Sequence, residues 1–391
     1  MGAEYLLYGY GLVCLSMLGF NLLYSFHLRS DDRRLRARTA ILRRQVGSQR
    51  RRIEKTPDGT SHPVQTRHLT WMRRRLSRVN CLLAFDQLMD ELDEREIACQ
   101  IYIKQLQPVF LYLATVYWKR ENMQAAYFCH FLARHKLRRH MEMDQVQQVV
   151  LSYLEKDSLY CKINALKALC SFGSPSVLID ALEELSKGQG SQLHEKVITE
   201  ALLNYTGDIK ALIERLWSQL ERFSLQIQRA VLDYIRFQSG ACCGRMLEIL
   251  QNPRRDKELR LAAIRYFGRY PYPPARKLLL DFLSDNDPIR WEFASISAFA
   301  LARYDGRDVV NALLRAMSSA NWYIRSNAAA SLEAHGLTYE EMLQVLGGDD
   351  RFAREMLAYR LKAKRLEEEA FVAAARAEEE SPRREEDPVS V

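Results

Sequence analysis

The chain has 391 residues, of which 48% are apolar, 17 are Gly and 11 are Pro. This composition excludes wholesale disorder and the turn-rich class of β-sandwiches and barrels, and it favours an all-α protein of two or three domains. There are 57 Lys and Arg against 49 Asp and Glu, which gives a net charge of +8. Residues 27–55 hold eleven basic and three acidic side chains, so this segment carries the whole excess and the rest is near neutral.

The first element is the apolar run Tyr5–Phe26, which has 22 residues and no formal charge. As a helix it would be about 33 Å long, enough to span a bilayer. Four residues precede it and bulky side chains follow it, which indicates an uncleaved anchor rather than a signal peptide. Because the basic residues lie on its C-terminal flank, the N-terminus is expected outside the cell and the rest in the cytoplasm. We therefore predict a single-pass protein of the cell membrane, anchored by residues 1–27.

Residues 28–66 are predicted to form a polybasic juxtamembrane segment that ends in a linker. Thr56–Thr66 collects Pro, Gly, Ser and Thr, which is typical of such a break. Beside a membrane span, the arginines are best suited to anionic lipid headgroups, although an acidic protein partner and nucleic acid remain open as alternatives. The candidate lipid contacts are Arg33, Arg34, Arg36, Arg38, Arg43, Arg44, Arg50, Arg51 and Arg52.

Residues 67–150 follow a helical pattern. The acidic stretch Asp86–Glu96 is expected to be a solvated helix face. Pro108 is expected to open a helix that runs to Lys119, residues 120–122 to turn the chain, and Met123–Leu137 to form a second helix. This hairpin is similar to a tetratricopeptide unit and would cap the array that follows.

Residues 151–360 contain an internal repeat with a period of about 32 residues. Each unit begins a helix with a long polar residue followed by small or apolar positions. Gly173, Gly207, Gly240 and Gly336 stand where first helices should end, since the residue after a helix end often needs a positive φ. A second amphipathic helix follows each first helix. The repeated polar positions, 29 to 35 residues apart, are Lys162, Lys196, Gln228, Arg260, Arg290, Arg325 and Arg354.

The pattern of Asp or Asn, an aliphatic residue, Arg, Ala, a Gly turn and a Leu-rich second helix resembles the HEAT repeat. The match covers roughly residues 157–359 and is best in the units that start at Asp256, Asp287 and Asn321. The resemblance implies an α-solenoid of stacked helical hairpins behind a single N-terminal transmembrane helix. It also implies that the Lys/Arg column pairs with acidic residues of the neighbouring repeat. Residues 361–391 are expected to form a charged helix and a disordered tail.

No residue pattern points to catalysis, and neither a metal nor another cofactor is expected. P-loop, GxGxxG, GxSxG and HExxH motifs are absent. Cys129, His130, His135 and His140 are the densest group of metal-type ligands, but steps of five residues place successive His about 140° apart around a helix. The eight cysteines form no CxxC pair and are expected to be reduced, mostly buried thiols.

These patterns predict a non-enzymatic membrane-tethered scaffold or adaptor whose solenoid binds a protein at the cytoplasmic membrane face. By analogy with membrane-tethered HEAT-repeat proteins of bacteria, the partner could be a membrane-bound enzyme such as a glycosyltransferase. The alternative is a binder of an anionic ligand or nucleic acid that uses the Lys/Arg column, although nucleic acid is less favoured by a near-neutral array. Candidate partner-binding residues are Arg260, Arg290, Trp291, Trp322 and Arg325.

Overall fold

The computed structural model describes residues 2–55, 64–92, 95–188, 192–285, 287–337 and 351–380. Within these ranges every regular element is helical, so the predicted all-α class is confirmed. The chain divides into two compact units, an N-terminal unit of residues 1–230 and a C-terminal unit of residues 231–391. The linker predicted at Thr56–Thr66 lies outside the described residues except for its last three, and so does the predicted tail from Ser381 onward.

The helices of the N-terminal unit are α1 (Gly2–Glu54), α2 (Thr66–Leu76), α3 (Val79–Glu91), α4 (Ile97–Gln105), α5 (Gln107–Trp118), α6 (Asn122–Arg134), α7 (Asp144–Leu151), α8 (Leu159–Phe172), α9 (Pro175–Lys187), α10 (Glu195–Leu202) and α11 (Ile209–Ser218). The division between the units falls within α12 (Leu225–Gln238). The C-terminal unit continues with α13 (Cys243–Gln251), α14 (Lys257–Arg269), α15 (Pro273–Leu283), α16 (Trp291–Ala300), α17 (Arg307–Ala316), α18 (Trp322–Ala334) and α19 (Arg351–Glu380).

Helix α1 joins the apolar run to the polybasic segment without a break over 53 residues. Its most apolar window has a mean hydropathy of 1.5 and is not buried within the protein, so α1 is long and apolar enough to cross a membrane. Further along, one side of the same helix enters the protein interior. The buried side chains on that side, spaced three or four residues apart, are Thr39, Leu42, Val46, Gln49 and Ile53.

The buried side of α1 packs against α3 and α4. Thr39 Oγ1 donates a hydrogen bond to Gln87 Oε1 (3.3 Å), and one turn later Arg43 forms a forked ion pair with Glu91, with Nε–Oε2 and Nη2–Oε1 distances of 3.0 and 2.6 Å. Both pairs are 48 residues apart, so α1 and α3 run side by side in the same direction. The C-terminal half of the polybasic segment is therefore part of the packed N-terminal unit rather than a separate juxtamembrane arm.

The helical hairpin predicted near Pro108 is confirmed. Helix α5 begins at Gln107, with Pro108 in its first turn, and ends at Trp118. Helix α6 ends at Arg134 rather than at the predicted Leu137, because the chain takes a left-handed conformation at Lys136 (φ 43°) before a short 3-10 turn. Helix α6 then packs on α8, and α8 packs on α10.

The prediction that Asp86 belongs to a solvated face is wrong. Its side chain is 8% exposed and accepts hydrogen bonds from Tyr127 Oη (2.5 Å), His135 Nε2 (2.6 Å) and Arg134 Nη1 (3.3 Å). Arg134 also pairs with Asp90 at 2.6 Å. Since α6 packs against this face of α3, the donors of α6 replace water around the Asp86 carboxylate.

Two of the glycines predicted to end first helices take a positive φ, namely Gly173 (65°) after α8 and Gly336 (81°) after α18. Gly207 and Gly240 do not. Gly207 is needed for another reason, because a Cβ added there would overlap the carbonyl oxygen of Gly173. Glycine therefore allows the two loops to approach each other closely.

In the C-terminal unit, hairpins pack in a repeating order. Helices α13, α15 and α17 contact α14, α16 and α18, respectively, and α14, α16 and α18 also contact one another in sequence. Side chains cap three of the first turns, since Asp256, Asp287 and Asn321 each accept a hydrogen bond from the backbone NH two residues later (2.8–2.9 Å). Helix α19, the predicted charged helix, contacts α18 and buries Ala353 and Met356.

Candidate functional site

Two of the predicted partner-binding arginines hold the fold together. Arg325, which is 6% exposed, donates from Nη1 to the carbonyl oxygens of Ser319 (2.7 Å) and Ala320 (2.9 Å). Arg260 is half-buried and donates from Nε to the carbonyl oxygen of Leu250 (3.2 Å). Arg260 thus bonds to backbone in the last turn of α13, and Arg325 bonds to backbone in the loop that follows α17.

The expected pairing of this column with acidic residues of the next repeat is therefore wrong for Arg260 and Arg325. Side chains of a helix tilt toward its N-terminus, so an arginine in the first turn reaches back to carbonyls in the last turn of the preceding helix, as Arg260 does, or in the loop that follows it, as Arg325 does. Each guanidinium also lies over an aromatic ring, with distances to the ring centroid of 4.8 Å for Arg325 over Phe352 and 4.9 Å for Arg260 over Phe293. Burial and the nearby charge of Arg290 lower the pKa of Arg260.

Arg290 behaves differently because it is exposed. Its guanidinium pairs with Asp285 (3.3 Å) and Asp287 (3.1 Å), both in the loop before α16. The backbone NH of Ile289, followed by the Arg290 guanidinium, lowers the pKa of Asp287. The charged link between neighbouring first helices is made instead by Lys257 of α14 and Glu292 of α16, at 2.6 Å.

The two predicted tryptophans belong to one exposed aromatic cluster, which consists of Trp291, Trp322, Tyr323 and Tyr359. The Trp291 and Tyr323 rings stack with centroids 5.3 Å apart, and Trp322 meets the edges of Tyr323 at 5.3 Å and Tyr359 at 5.8 Å. Trp322, Tyr323 and Tyr359 remain 44%, 57% and 52% exposed. Helices α16, α18 and α19 thus present a preassembled aromatic surface to solvent.

A cavity of about 590 Å³ lies beside this aromatic cluster. The end of α15 and the start of α16 supply Asp285, Asp287 and Trp291, and the end of α17 supplies Arg315. The remaining lining is small or apolar, including Ala312 and Ala316 among other residues. Trp291 therefore connects the cavity to the aromatic cluster, so one ligand surface could contact both.

Three thiols and one imidazole are held inside the N-terminal unit. Burial raises the pKa of the Cys161 thiol to about 11 and also raises the pKa values of Cys129 and Cys170, which disfavours the nucleophilic thiolate at these positions. His135 bonds to Asp86. Among the residues that the structure describes, no group of three or more His, Cys, Asp or Glu side chains could hold a metal ion.

Comparison with known proteins identifies no relative, since no protein-family model and no curated protein matches the chain. The candidate site therefore stands on the geometry of its residues. Sequence reasoning found Arg290, Trp291 and Trp322 but missed Tyr323 and Tyr359. The sequence contains a sign of Tyr323, because this residue follows the helix cap Asn321 by two positions. It therefore lies in the first turn of α18, where its side chain faces outward.

Proposed function

We propose that this chain is a membrane-tethered, non-enzymatic scaffold whose HEAT-like solenoid binds a protein partner through the aromatic cluster. The observation that supports this proposal most directly is the contact of Trp322 with Tyr323 and Tyr359. These three exposed aromatic side chains lie together on the surface of the C-terminal unit. Tyr and Trp dominate the binding energy of protein interfaces, and exposed apolar groups that are already packed together lose little conformational freedom on binding. The partner is a cytoplasmic protein or the cytoplasmic part of a membrane enzyme.

The tether is the apolar part of α1. The N-terminus lies outside the cell, and the rest of the N-terminal unit and the whole C-terminal unit lie in the cytoplasm. Its length and hydropathy support a span, and the arginines on its C-terminal flank support this orientation. Of the candidate lipid contacts, Arg33, Arg34, Arg36 and Arg38 follow Phe26 within about 18 Å of helix. Arg43 and Arg50 are instead paired with Glu91 and Glu96.

The solenoid part of the proposal is supported by the order of helix packing. In the C-terminal unit α14, α16 and α18 stack in sequence, and in the N-terminal unit α6, α8 and α10 do the same. Second helices follow the same rule, since α9 contacts α11 and α15 contacts α17. Contact between each hairpin and the next is the arrangement that HEAT-like repeats require.

The column of basic side chains favours a protein partner over an anionic ligand or nucleic acid. Arg325 and Arg260 donate to backbone carbonyls, and Arg290 is neutralised by Asp285 and Asp287. These three arginines, which an anion at the candidate site would need, are thus engaged within the protein. A phosphate ligand would also meet the two carboxylates beside the cavity and be repelled.

The test is photocrosslinking of the full-length chain in native membranes from a benzophenone side chain at position 359, which lies in the aromatic cluster and is unchanged in the variants compared. We expect one stoichiometric protein adduct that is lost in the W322A/Y323A variant. The matched control is L159A/Y160A, because Leu159 and Tyr160 are the first two residues of α8 after its cap Ser158 and are also exposed. Retention of the adduct by folded W322A/Y323A, or its equal loss in both variants, would refute the aromatic cluster as the binding surface.

Two further measurements separate the parts of the proposal. Deletion of residues 1–27 should release the chain from alkaline-washed membranes, and unchanged fractionation would refute the tether. When the salt concentration before irradiation is raised from about 50 to 200 mM, the yield of the adduct should not change. Binding through phosphate contacts would instead weaken steeply over that range, because it depends on the release of counterions.

A further inference from the structure

A second basic site lies at the turn between α2 and α3. We call it the basic turn and define it as Arg74, Arg75 and Arg78, all of which are exposed. Residues 64–85 contain five arginines and no acidic residue. Among the described residues, no carboxylate lies within ion-pair distance of these three side chains. The basic turn therefore carries a local charge of about +3 that the protein does not neutralise.

The register of α3 on α1 fixes how far the basic turn lies from the apolar run. Thr39, which meets Gln87 of α3, is 13 residues or about 20 Å of helix past Phe26. Arg78 precedes Gln87 by nine residues, or about 14 Å, and α3 runs in the same direction as α1. The basic turn thus lies four residues of helix rise, or about 6 Å, beyond the end of the apolar run, measured along α1.

A neighbouring turn reaches the same edge of the N-terminal unit. Tyr117 near the end of α5 donates from its hydroxyl to the carbonyl oxygen of Leu76 at the end of α2 (2.7 Å). The next residues, Trp118, Lys119 and Arg120, are exposed. Two more cations and an indole therefore lie beside the basic turn, a combination suited to the membrane interface.

From this placement we infer that the basic turn is a second membrane contact, in which Arg74, Arg75 and Arg78 bind the anionic headgroups of the cytoplasmic leaflet. The headgroup layer is about 5–8 Å thick on each side of the hydrocarbon core, which matches the offset of about 6 Å, and arginine side chains reach several ångströms further. The inference rests on the proposed membrane span of α1. It places the N-terminal unit against the bilayer and not at the end of a stalk.

The first experiment measures the position of the basic turn with the full-length chain in vesicles of phosphatidylcholine and phosphatidylglycerol (7:3). In a background with Cys14 and Cys243 changed to Ser, a fluorophore is attached at Asn80→Cys or at Thr66→Cys. These positions lie at opposite ends of α2, which is about 16 Å long. Lipids carrying a nitroxide near the carbonyl group should quench the label at position 80 at least threefold more than the label at position 66. Equal quenching would overturn the inference.

The second experiment tests the chemistry of the contact by comparing nitroxide-labelled phosphatidylglycerol with nitroxide-labelled phosphatidylcholine. The position-80 label should be quenched at least twofold more by the anionic lipid. This preference should disappear in R74E/R75E/R78E and in the neutral variant R74Q/R75Q/R78Q. The matched control R44E/R51E/R67E makes the same charge change at positions roughly 20–40 Å past Phe26, beyond the range of screened electrostatics, and should keep the preference.

The outcomes separate this inference from the proposed tether. Release of the wild-type chain by alkaline washing would refute the span itself. Retention of the chain with no preference for phosphatidylglycerol, or with a preference that survives in both triple variants, would overturn the basic turn alone. A third outcome also overturns the inference. If an added oligonucleotide or acidic polypeptide changes the fluorescence of the position-80 label while phosphatidylglycerol does not quench it preferentially, the basic turn binds that ligand and not the headgroups.

Discussion

Replacing Asp86 tests whether the buried carboxylate stabilises the packing of α3 on α6. The side chains of Asp86 and His135 are only 8% and 5% exposed, and Tyr127 Oη donates to the same carboxylate at 2.5 Å. Asp86→Ala removes the acceptor and leaves the buried His135 donor and the half-buried Tyr127 hydroxyl without that partner. Arg134 keeps its pair with Asp90, so its charge is not stranded.

The expected cost follows from these contacts. Each buried donor left unsatisfied costs about 1–3 kcal/mol, and breaking a buried charged pair costs about 3–5 kcal/mol in measured cases. We therefore expect Asp86→Ala to lower the free energy of unfolding of the N-terminal unit by about 3–5 kcal/mol. Asp86→Asn keeps one acceptor oxygen and should cost less, about 1–3 kcal/mol.

The assay is hydrogen exchange followed by mass spectrometry, because a two-unit chain need not unfold in one step. Exchange in α3 and α6 should accelerate in Asp86→Ala, while exchange in α14–α18 should not change. The matched control is Asp90→Ala, since Asp90 is largely exposed and its pair with Arg134 is worth less than about 1 kcal/mol. Equal effects of the two substitutions would refute the argument that burial makes the Asp86 network important.

Three further predictions concern pH, a close loop approach and the arginine column. Burial alone would raise the pKa of Asp86, but hydrogen bonds from His135 and Tyr127 outweigh burial and lower it. The Asp86 carboxylate therefore stabilises the fold above its unfolded pKa of about 3.9, and this stabilisation is lost as pH falls through the lower folded pKa. Asp86→Asn has no such carboxylate, so its free energy of unfolding should depend less steeply on pH below about pH 4. Gly207→Ala should destabilise the N-terminal unit by about 1–3 kcal/mol by thermal melting, whereas Gly47→Ala in the same unit, where an added Cβ meets nothing within 4 Å, should not. Arg325→Met should cost roughly 2–4 kcal/mol because two hydrogen bonds from a buried, charged guanidinium are lost, while Arg290→Met should cost less than about 1 kcal/mol in the same urea titration. Similar costs for the two would contradict the structural role of Arg325.

Local signals in the sequence predicted much of the fold. Pro108 and the caps Asp256, Asp287 and Asn321 start helical segments as expected, because capping depends on residues within one turn. The left-handed conformation of Gly173 also follows from its position after a helix.

Two of the failures, at Asp86 and at the aromatic cluster, involve contacts between segments distant in sequence. Asp86 is hydrophilic in isolation, and only the arrival of α6, more than 40 residues later, explains its burial. The partners of Arg260 and Arg325 were missed because backbone carbonyls leave no trace in composition. The aromatic cluster likewise forms only when Tyr359 of α19 meets Trp322 of α18.

The unbroken course of α1 has a consequence for how the proposed membrane tether would present the protein to a partner. A domain on a flexible chain samples a hemisphere of orientations, and binding a membrane partner must freeze that rotation at a cost in orientational entropy. A helix that continues from the bilayer into the packed interior through Leu42, Val46 and Ile53 removes most of this freedom beforehand. Partners confined to the same membrane would therefore meet the N-terminal unit already oriented, so even a modest contact area could give a specific encounter.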